Sequence, residues 1–138
     1  MRRGKAENGG FEAIPEETER IATVVVDAAY HVHSNLGPGL LESVYEVCLC
    51  HELRTRGLDF KKQLPVPITY DGVRLDAGLR LDLLVADRLI VEIKSVEKMN
   101  PVFAAQLLTY LKLANRRLGL LINFNVRFIR DGIQRIIL

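Results

Sequence analysis

Asp82, Glu92 and Lys94 lie in Arg80-Leu-Asp-Leu-Leu-Val-Ala-Asp-Arg-Leu-Ile-Val-Glu-Ile-Lys-Ser95, and residues of these types at this spacing could do chemistry on a phosphate. The stretch reads as two apolar strands joined by a short polar turn at Ala86, Asp87 and Arg88. If Val85 pairs with Leu89, Leu83 faces Val91 and Asp82 faces Glu92. Side chains alternate across a strand, so Asp82, Glu92 and Lys94 share one face with Leu84 and Ile90. Leu81, Leu83, Val85, Leu89, Val91 and Ile93 are expected on the other, purely aliphatic face. Opposed residues of an antiparallel pair have Cβ atoms roughly 4.5–5.5 Å apart. Two carboxylates at that separation repel unless something positive sits between them. Mg²⁺ answers the need, because it is held by one or two carboxylates together with waters and substrate phosphate. Lys94 is placed to touch a phosphate or a metal-bound water. The plainer alternative is an ion pair, Asp82–Lys94 or Glu92–Arg80, at the end of a sheet. Like charges face to face in an apolar strand pair are costly without a partner, which favours the metal site.

Several elements must position this hairpin. Pro15-Glu16-Glu17 reads as a helix start, with Pro in the first turn and acids at the positive end of the dipole. Ile21, Val24, Val25, Ala28, Ala29, Val32 and Leu36 continue it at helical spacing, and Gly37-Pro38-Gly39 stops it. A second helix is expected from about Leu40 to Arg56, capped by Gly57, burying Leu41, Val44, Tyr45, Cys48, Leu49 and Leu53. Glu42 stands near its N-terminus, where an acid also simply complements the dipole.

Leu58 to Tyr70 is extended, and Pro65 and Pro67 demand an edge position or a bulge. Asp71-Gly72 turns the chain into the strand that leads to the central hairpin. A helix from Pro101 to about Asn115 buries Phe103, Leu107, Leu111 and Ala114, with Gln106 and Tyr110 four apart on one side. Leu118 to Asn123 is a continuous apolar run, the mark of a strand buried on both faces. Arg127–Arg130 and Ile133–Leu138 are expected to form a last hairpin around Asp131-Gly132. The order predicts an α/β fold, a mixed sheet flanked by helices.

The 138 residues are 49% hydrophobic, enough for the core of one domain, expected over residues 15–138 behind a loose tail at 1–14. Nineteen basic against seventeen acidic residues leave +2, too little to diagnose nucleic-acid binding without local clustering. Cys48 and Cys50 are the only cysteines, pointing in different directions on one helix, and no metal-type Cys/His spacing accompanies them. Charges interrupt every long apolar stretch, so the expectation is a reduced, cytoplasmic protein without membrane contact.

Gly39-Leu-Leu-Glu42-Ser-Val-Tyr45 matches the pattern for which the GxxExxY protein family is named. The chain resembles that family, placed in the PD-(D/E)XK nuclease superfamily, from about Ile21 to Leu138. Gln63-Leu-Pro-Val, Arg80-Leu-Asp82, Val91-Glu92-Ile-Lys94, Gln106-Leu-Leu-Thr-Tyr110 and Gly119-Leu-Leu-Ile-Asn-Phe124 take part in the likeness. The resemblance implies a restriction-endonuclease-like αβββαβ core, with the superfamily's acidic pair and lysine at Asp82, Glu92 and Lys94. Glu42 falls where many members carry a further acid, and Gln106 and Tyr110 are similar to the Gln-x-x-x-Tyr motif of the recombination-exonuclease branch. Relatives commonly have His where this chain has Phe103.

Together these readings point to a hydrolase, a metal-dependent nuclease cutting phosphodiester bonds. Asp82, Glu92 and the carbonyl of Ile93 are expected to hold Mg²⁺ or Mn²⁺, with Glu42 reaching it directly or through water. Lys94 orients the water or steadies the phosphate, and Gln106 and Tyr110 position substrate or brace Lys94. Lys61, Lys62, Arg116 and Arg117 are candidates for backbone phosphate contacts, though solvated surface charge is the plainer reading of each. The expected partner is nucleic acid, DNA ahead of RNA, and so short a chain could embrace it as a homodimer. The rival is a catalytically silent nuclease-fold module that binds nucleic acid or a protein; a third reading is a nuclease-fold subunit acting on a small phosphorylated substrate.

Overall fold

A computed structural model describes residues 12–138, so the expected tail lies, up to position 11, outside the described residues. Helix α1 (Glu16–Leu36) starts just after Pro15, with Glu16, Glu17 and Glu19 in its first turn. Pro15 is thus the residue before the helix, not within it. Gly37, at a left-handed φ of 70°, ends it and donates its N–H to the His33 carbonyl. Helix α2 (Glu42–Thr55) buries Tyr45, Leu49, Cys50 and Leu53. Here the expected stripe is corrected: Leu41 and Val44 are exposed, and Cys50 replaces Cys48 inside. The helix begins at Glu42, and its inner line runs through Tyr45, Leu49 and Leu53, flanked by Cys50.

Five strands follow: β1 (Phe60–Tyr70), β2 (Val73–Val85), β3 (Leu89–Lys94), then, after helix α3 (Pro101–Ala114), β4 (Leu118–Asn123) and β5 (Ile133–Ile137). The sheet order is β1-β2-β3-β4-β5. Only β3 and β4 run parallel, and such a pair needs a long crossover, which α3 supplies. β1 is an edge strand whose register shifts between Val66 and Ile68, so both devices that accommodate proline are present. Asp71 and Gly72 both take positive φ, as a two-residue hairpin turn requires.

The last segment differs from expectation. Residues 127–130 form no strand; a short 3₁₀ turn (Ile129–Gly132) leads into β5, which pairs antiparallel with β4. Ile129 is drawn into the core, and Gly132 passes so close to Asn123 that a Cβ would fall 2.1 Å from its carbonyl oxygen.

Helices α1 and α2 seal one face of the sheet over Leu83, Val85, Leu89, Val91, Ile93, Leu120 and Ile122. Helix α3 covers the other through Leu107 and Leu111 on Leu84, Ile90 and Leu121. Leu81 also packs on the α3 side, not with Leu83 as strict alternation would have it. The alternation slips at Asp82. Lys62↔Leu83 and Leu64↔Leu81 pair on either side, and Gln63, which falls between them on β1, has a positive φ of 50°.

Candidate active site

The β2–β3 ladder holds at Val85↔Leu89, Leu84↔Ile90 and Leu83↔Val91, and its next step would be Asp82 opposite Glu92. There side chains take over from the ladder. The Asp82 N–H donates to Glu92 Oε2 at 2.9 Å, and the Ile93 N–H donates to Asp82 Oδ2 at 2.8 Å. Each carboxylate is therefore fixed by the opposite strand's backbone and keeps a second oxygen for another partner.

Glu92 is only 7% exposed. Burial, and after it the Asp82 charge, pushes its pKa up to about 8; Glu42 adds to the rise, while the Asp82 N–H and Lys94 oppose it. A group that resists ionising this strongly beside a second acid is short of positive charge. Lys94 does not fill the gap as an ion pair. Its Nζ lies 4.3 Å from the centre of the Phe103 ring, and among the described residues neither Asp82–Lys94 nor Glu92–Arg80 forms a salt bridge. The ion-pair alternative is not what this site adopts.

On α3, which Asn100 caps by accepting from the Val102 N–H, Gln106 lies one turn before Tyr110, its side chain near enough to act on the Tyr110 hydroxyl. Burial raises the Tyr110 pKa first, then the charges of Glu92 and Asp82, so this phenol faces the acidic pair. Ile93 turns its side chain into the opposite core.

Glu42, the first residue of α2, is exposed and stands at the rim, close enough for its charge to act on Glu92. The turn before it is anchored from three sides. Tyr45 donates its hydroxyl to the Gly37 carbonyl at 2.6 Å and accepts from the Leu40 N–H at 3.2 Å. The Tyr45 ring stacks on Phe124 at 4.6 Å, and Ser95 Oγ donates to the Leu40 carbonyl at 2.5 Å. Gly39, at a φ of 100°, takes the backbone turn that side chains resist.

Sequence reasoning passed over two further links. Asn123 is buried at the end of β4, where Oδ1 accepts from the Val96 and Asn125 N–H groups and Nδ2 donates to the Val96 carbonyl. It fixes the chain as it leaves β3, and its only signal was an amide closing an apolar run. Gln63 Nε2 donates to Glu46 Oε1 at 2.8 Å, tying β1 to α2 beside Asp82; nothing in the spacing of residues seventeen apart revealed it.

The proposed phosphate contacts divide. Lys61 and Lys62 are exposed on β1, opposite Leu84 and Leu83 and near Asp82. Arg116 and Arg117 are corrected. They precede Leu118, which pairs with Leu89, at the opposite strand end from Lys94↔Asn123. There Arg116 bonds Asp87, and Arg117 bonds the carbonyls of Leu138 and Glu12.

Among the described residues no group of three or more His, Cys, Asp or Glu side chains is gathered as a ready-made metal cage. The donors present fit a hard divalent ion nonetheless, because Mg²⁺ needs only one or two protein carboxylates and keeps its waters. A buried acid at about 8 next to a second carboxylate is the charge deficit such an ion would relieve.

A mixed sheet between two helical layers, with an acid pair and a lysine where β2 and β3 part, defines a restriction-endonuclease-like fold of the nuclease class. Residues 19–136 match the family model of the PD-(D/E)XK nuclease superfamily, and the chain belongs to that superfamily. No curated protein and no solved structure matches the chain. No helix among the described residues is long and apolar enough to cross a membrane.

Proposed function

We propose that the protein is a metal-dependent nuclease of the GxxExxY kind, hydrolysing phosphodiester bonds in nucleic acid, with DNA ahead of RNA as substrate. The observation that carries the reading is the reciprocal bonding of Asp82 and Glu92 across two strands, with Lys94 beside them. Asp82, Glu92 and the Ile93 carbonyl are the residues to hold Mg²⁺ or Mn²⁺, with Glu42 reaching it directly or through water. When bound, such an ion supplies Lewis acidity and a water acidified towards neutrality. Lys94 steadies the negative charge that builds on the phosphate, acting as a fixed cation in a poorly solvated place. Phe103 holds that ammonium at the site through its ring face, in the position where relatives carry His. Tyr110, braced by Gln106, faces the acid pair as a hydrogen-bond donor for substrate. Lys62 and Lys61 lie along the approach to Asp82, and a second copy or a partner would widen the grip on DNA.

The test is cleavage of single-stranded, double-stranded and branched nucleic acids with Mg²⁺, Mn²⁺ or EDTA, in wild type and Lys94→Ala. The expected result is metal-dependent cleavage, slowed ~10²–10³-fold in Lys94→Ala. Metal affinity by calorimetry should stay nearly unchanged in that variant. Cleavage by the variant at the wild-type rate would remove Lys94 from the reaction. No metal-dependent cleavage of any substrate would leave a silent binding module as the better description.

A further inference from the structure

A second chemistry-bearing patch lies at the same strand end as the acid pair, on the α1 side. Beyond Asn123 the chain runs through Val126, whose carbonyl is 2.7 Å from Nε2 of the buried His33. That contact pins the segment to α1. The next residues are Arg127, Phe128, Ile129 and Arg130. Ile129 is buried, while Phe128 remains 49% exposed. Both arginines lie against that ring, with guanidinium carbons 5.1 and 5.6 Å from its centre. Two cations are thus held around one aromatic platform, and among the described residues neither meets a carboxylate. Arg135, five residues past Arg130, is by contrast paired with Glu19. Across from Phe128 stands Tyr30, 43% exposed, and with Ser34 these residues line a cavity of about 310 Å³. Tyr30 and Arg130 also border a neighbouring cavity of about 400 Å³, which Asp27 lines as well without pairing with Arg130 among the described residues.

We infer that Arg127 and Arg130, arrayed around Phe128 and facing Tyr30, form a clamp for the backbone of an unpaired nucleic-acid strand. The inference rests on the nuclease reading and gives it a substrate class. Two uncompensated guanidinium groups side by side repel each other, and a phosphate between them removes that repulsion while accepting their forked hydrogen bonds. Exposed aromatic faces next to such a phosphate site take bases by stacking, without regard to sequence. The cavity is at the small end of the ligand scale, which suits one nucleotide and not a duplex. Reach is adequate. Arg127 is four residues past Asn123, so its Cα is at most about 14 Å from the β4 end, and Asn123 is paired with Lys94. A strand whose cleaved phosphate sits at Asp82, Glu92 and Lys94 reaches the clamp a few nucleotides away, over the end of β4.

Binding of a fluorescein-labelled single-stranded oligonucleotide, followed by anisotropy in EDTA over a range of salt, tests the clamp separately from cleavage. Arg127→Gln/Arg130→Gln should weaken binding on the order of tenfold near 0.1 M salt. It should also lower the slope of log K against log salt by about 1.4, the loss of two phosphate contacts to a single strand. Phe128→Ala, which frees the guanidinium groups, should give a smaller loss, and Phe128→Tyr, which keeps the platform, should restore wild-type binding. Because the arginines are at the surface, the double variant should melt like wild type. Equal affinity and slope in wild type and double variant would overturn the clamp, as would a loss confined to duplex. The two readings fail separately. A wild type that binds through these arginines but never cleaves keeps the clamp and removes the nuclease; cleavage with unchanged KM in the double variant does the reverse.

Discussion

On one face of the sheet, α1 and α2 close over an unbroken apolar layer in which Val25, Leu49, Leu53, Leu83, Val91 and Leu120 are all at most 1% exposed. On the other, α3 covers a smaller patch around Leu84, Ile90, Leu107 and Leu111, with Phe103 in its first turn over Lys94 and Tyr110 further along facing the acid pair. The same strands serve both faces, so the difference lies in the cover. Twenty-one and fourteen residues of helix seal the first face; fourteen residues alone cover the second. Polar groups stand where the cover thins: Asp82, Glu92 and Lys94 at one strand end, with Asn123 beside them. Burying a carboxylate there costs stability, which a well-packed apolar residue would not, and this marks the second face as the working one.

The largest expected effect is the one that removes this contrast. Glu92→Gln keeps the shape and takes away a charge the face cannot neutralise alone. On the proposed metal-dependent mechanism cleavage should fall by roughly 10³-fold or more, because losing a ligand forfeits several kcal/mol of transition-state stabilisation. Stability should move the other way, in a pH-dependent manner. The folded-state pKa of about 8 lies above the ordinary 4.5. Below pH 4.5 both states are protonated and nothing is lost. Between 4.5 and about 8 the unfolded chain ionises freely while the folded one resists, so stability falls, and above about 8 the loss is complete. Denaturant melts of the metal-free wild type at pH 5 and pH 8.5 should therefore differ by a few kcal/mol, and Glu92→Gln should flatten the slope. Equal slopes in the two proteins would mean that Glu92 ionises as easily folded as unfolded.

A truncation on the dry face sharpens the contrast from the other side. Leu53→Ala removes a side chain with no exposed surface, at a cost of about 2–5 kcal/mol. The variant that remains folded should cleave normally with an unaltered pH slope. A loss of metal binding in Leu53→Ala at temperatures where it is fully folded would show that the two faces are coupled, not independent.

Much of this was legible in the chain because local rules decided it. The three-residue turn after Val85 fixes the Leu83↔Val91 register, which brings Asp82 level with Glu92, where hydrogen bonds take over from the ladder. Pro65 and Pro67 announced an edge strand, and the continuous apolar run at Leu118 announced a buried one. What escaped depended on distant partners. Leu81 changes face because the chain slips opposite Gln63, whose positive φ no propensity suggests. Leu41 and Val44 look like core and stay outside, since the rotation of α2 is set by Tyr45 docking on Phe124, seventy-nine residues away. Residues 127–130 precede the turn signal Asp131-Gly132, yet burial of Ile129 and the close passage of Gly132 at Asn123 leave them no partner to pair with.

The smallest effect tests whether the rim of the working face is held from the dry one. Tyr45 belongs to the dry core by burial and stacking, but its hydroxyl bonds Gly37 and Leu40 in the turn that presents Glu42. Tyr45→Phe keeps the ring and its stack on Phe124 and loses both hydrogen bonds, a cost of about 1–2 kcal/mol. Ser95 still holds the Leu40 carbonyl, so the turn should loosen and not detach. Melting should drop by a few degrees, and cleavage only a few-fold, less than in Lys94→Ala, because the acid moved is the one at the rim. Glu42→Gln should then add little further loss in the Tyr45→Phe background, since both changes act on the same carboxylate. Fully multiplicative losses in the double variant would show instead that Tyr45 supports the fold alone and that Glu42 is positioned by something else.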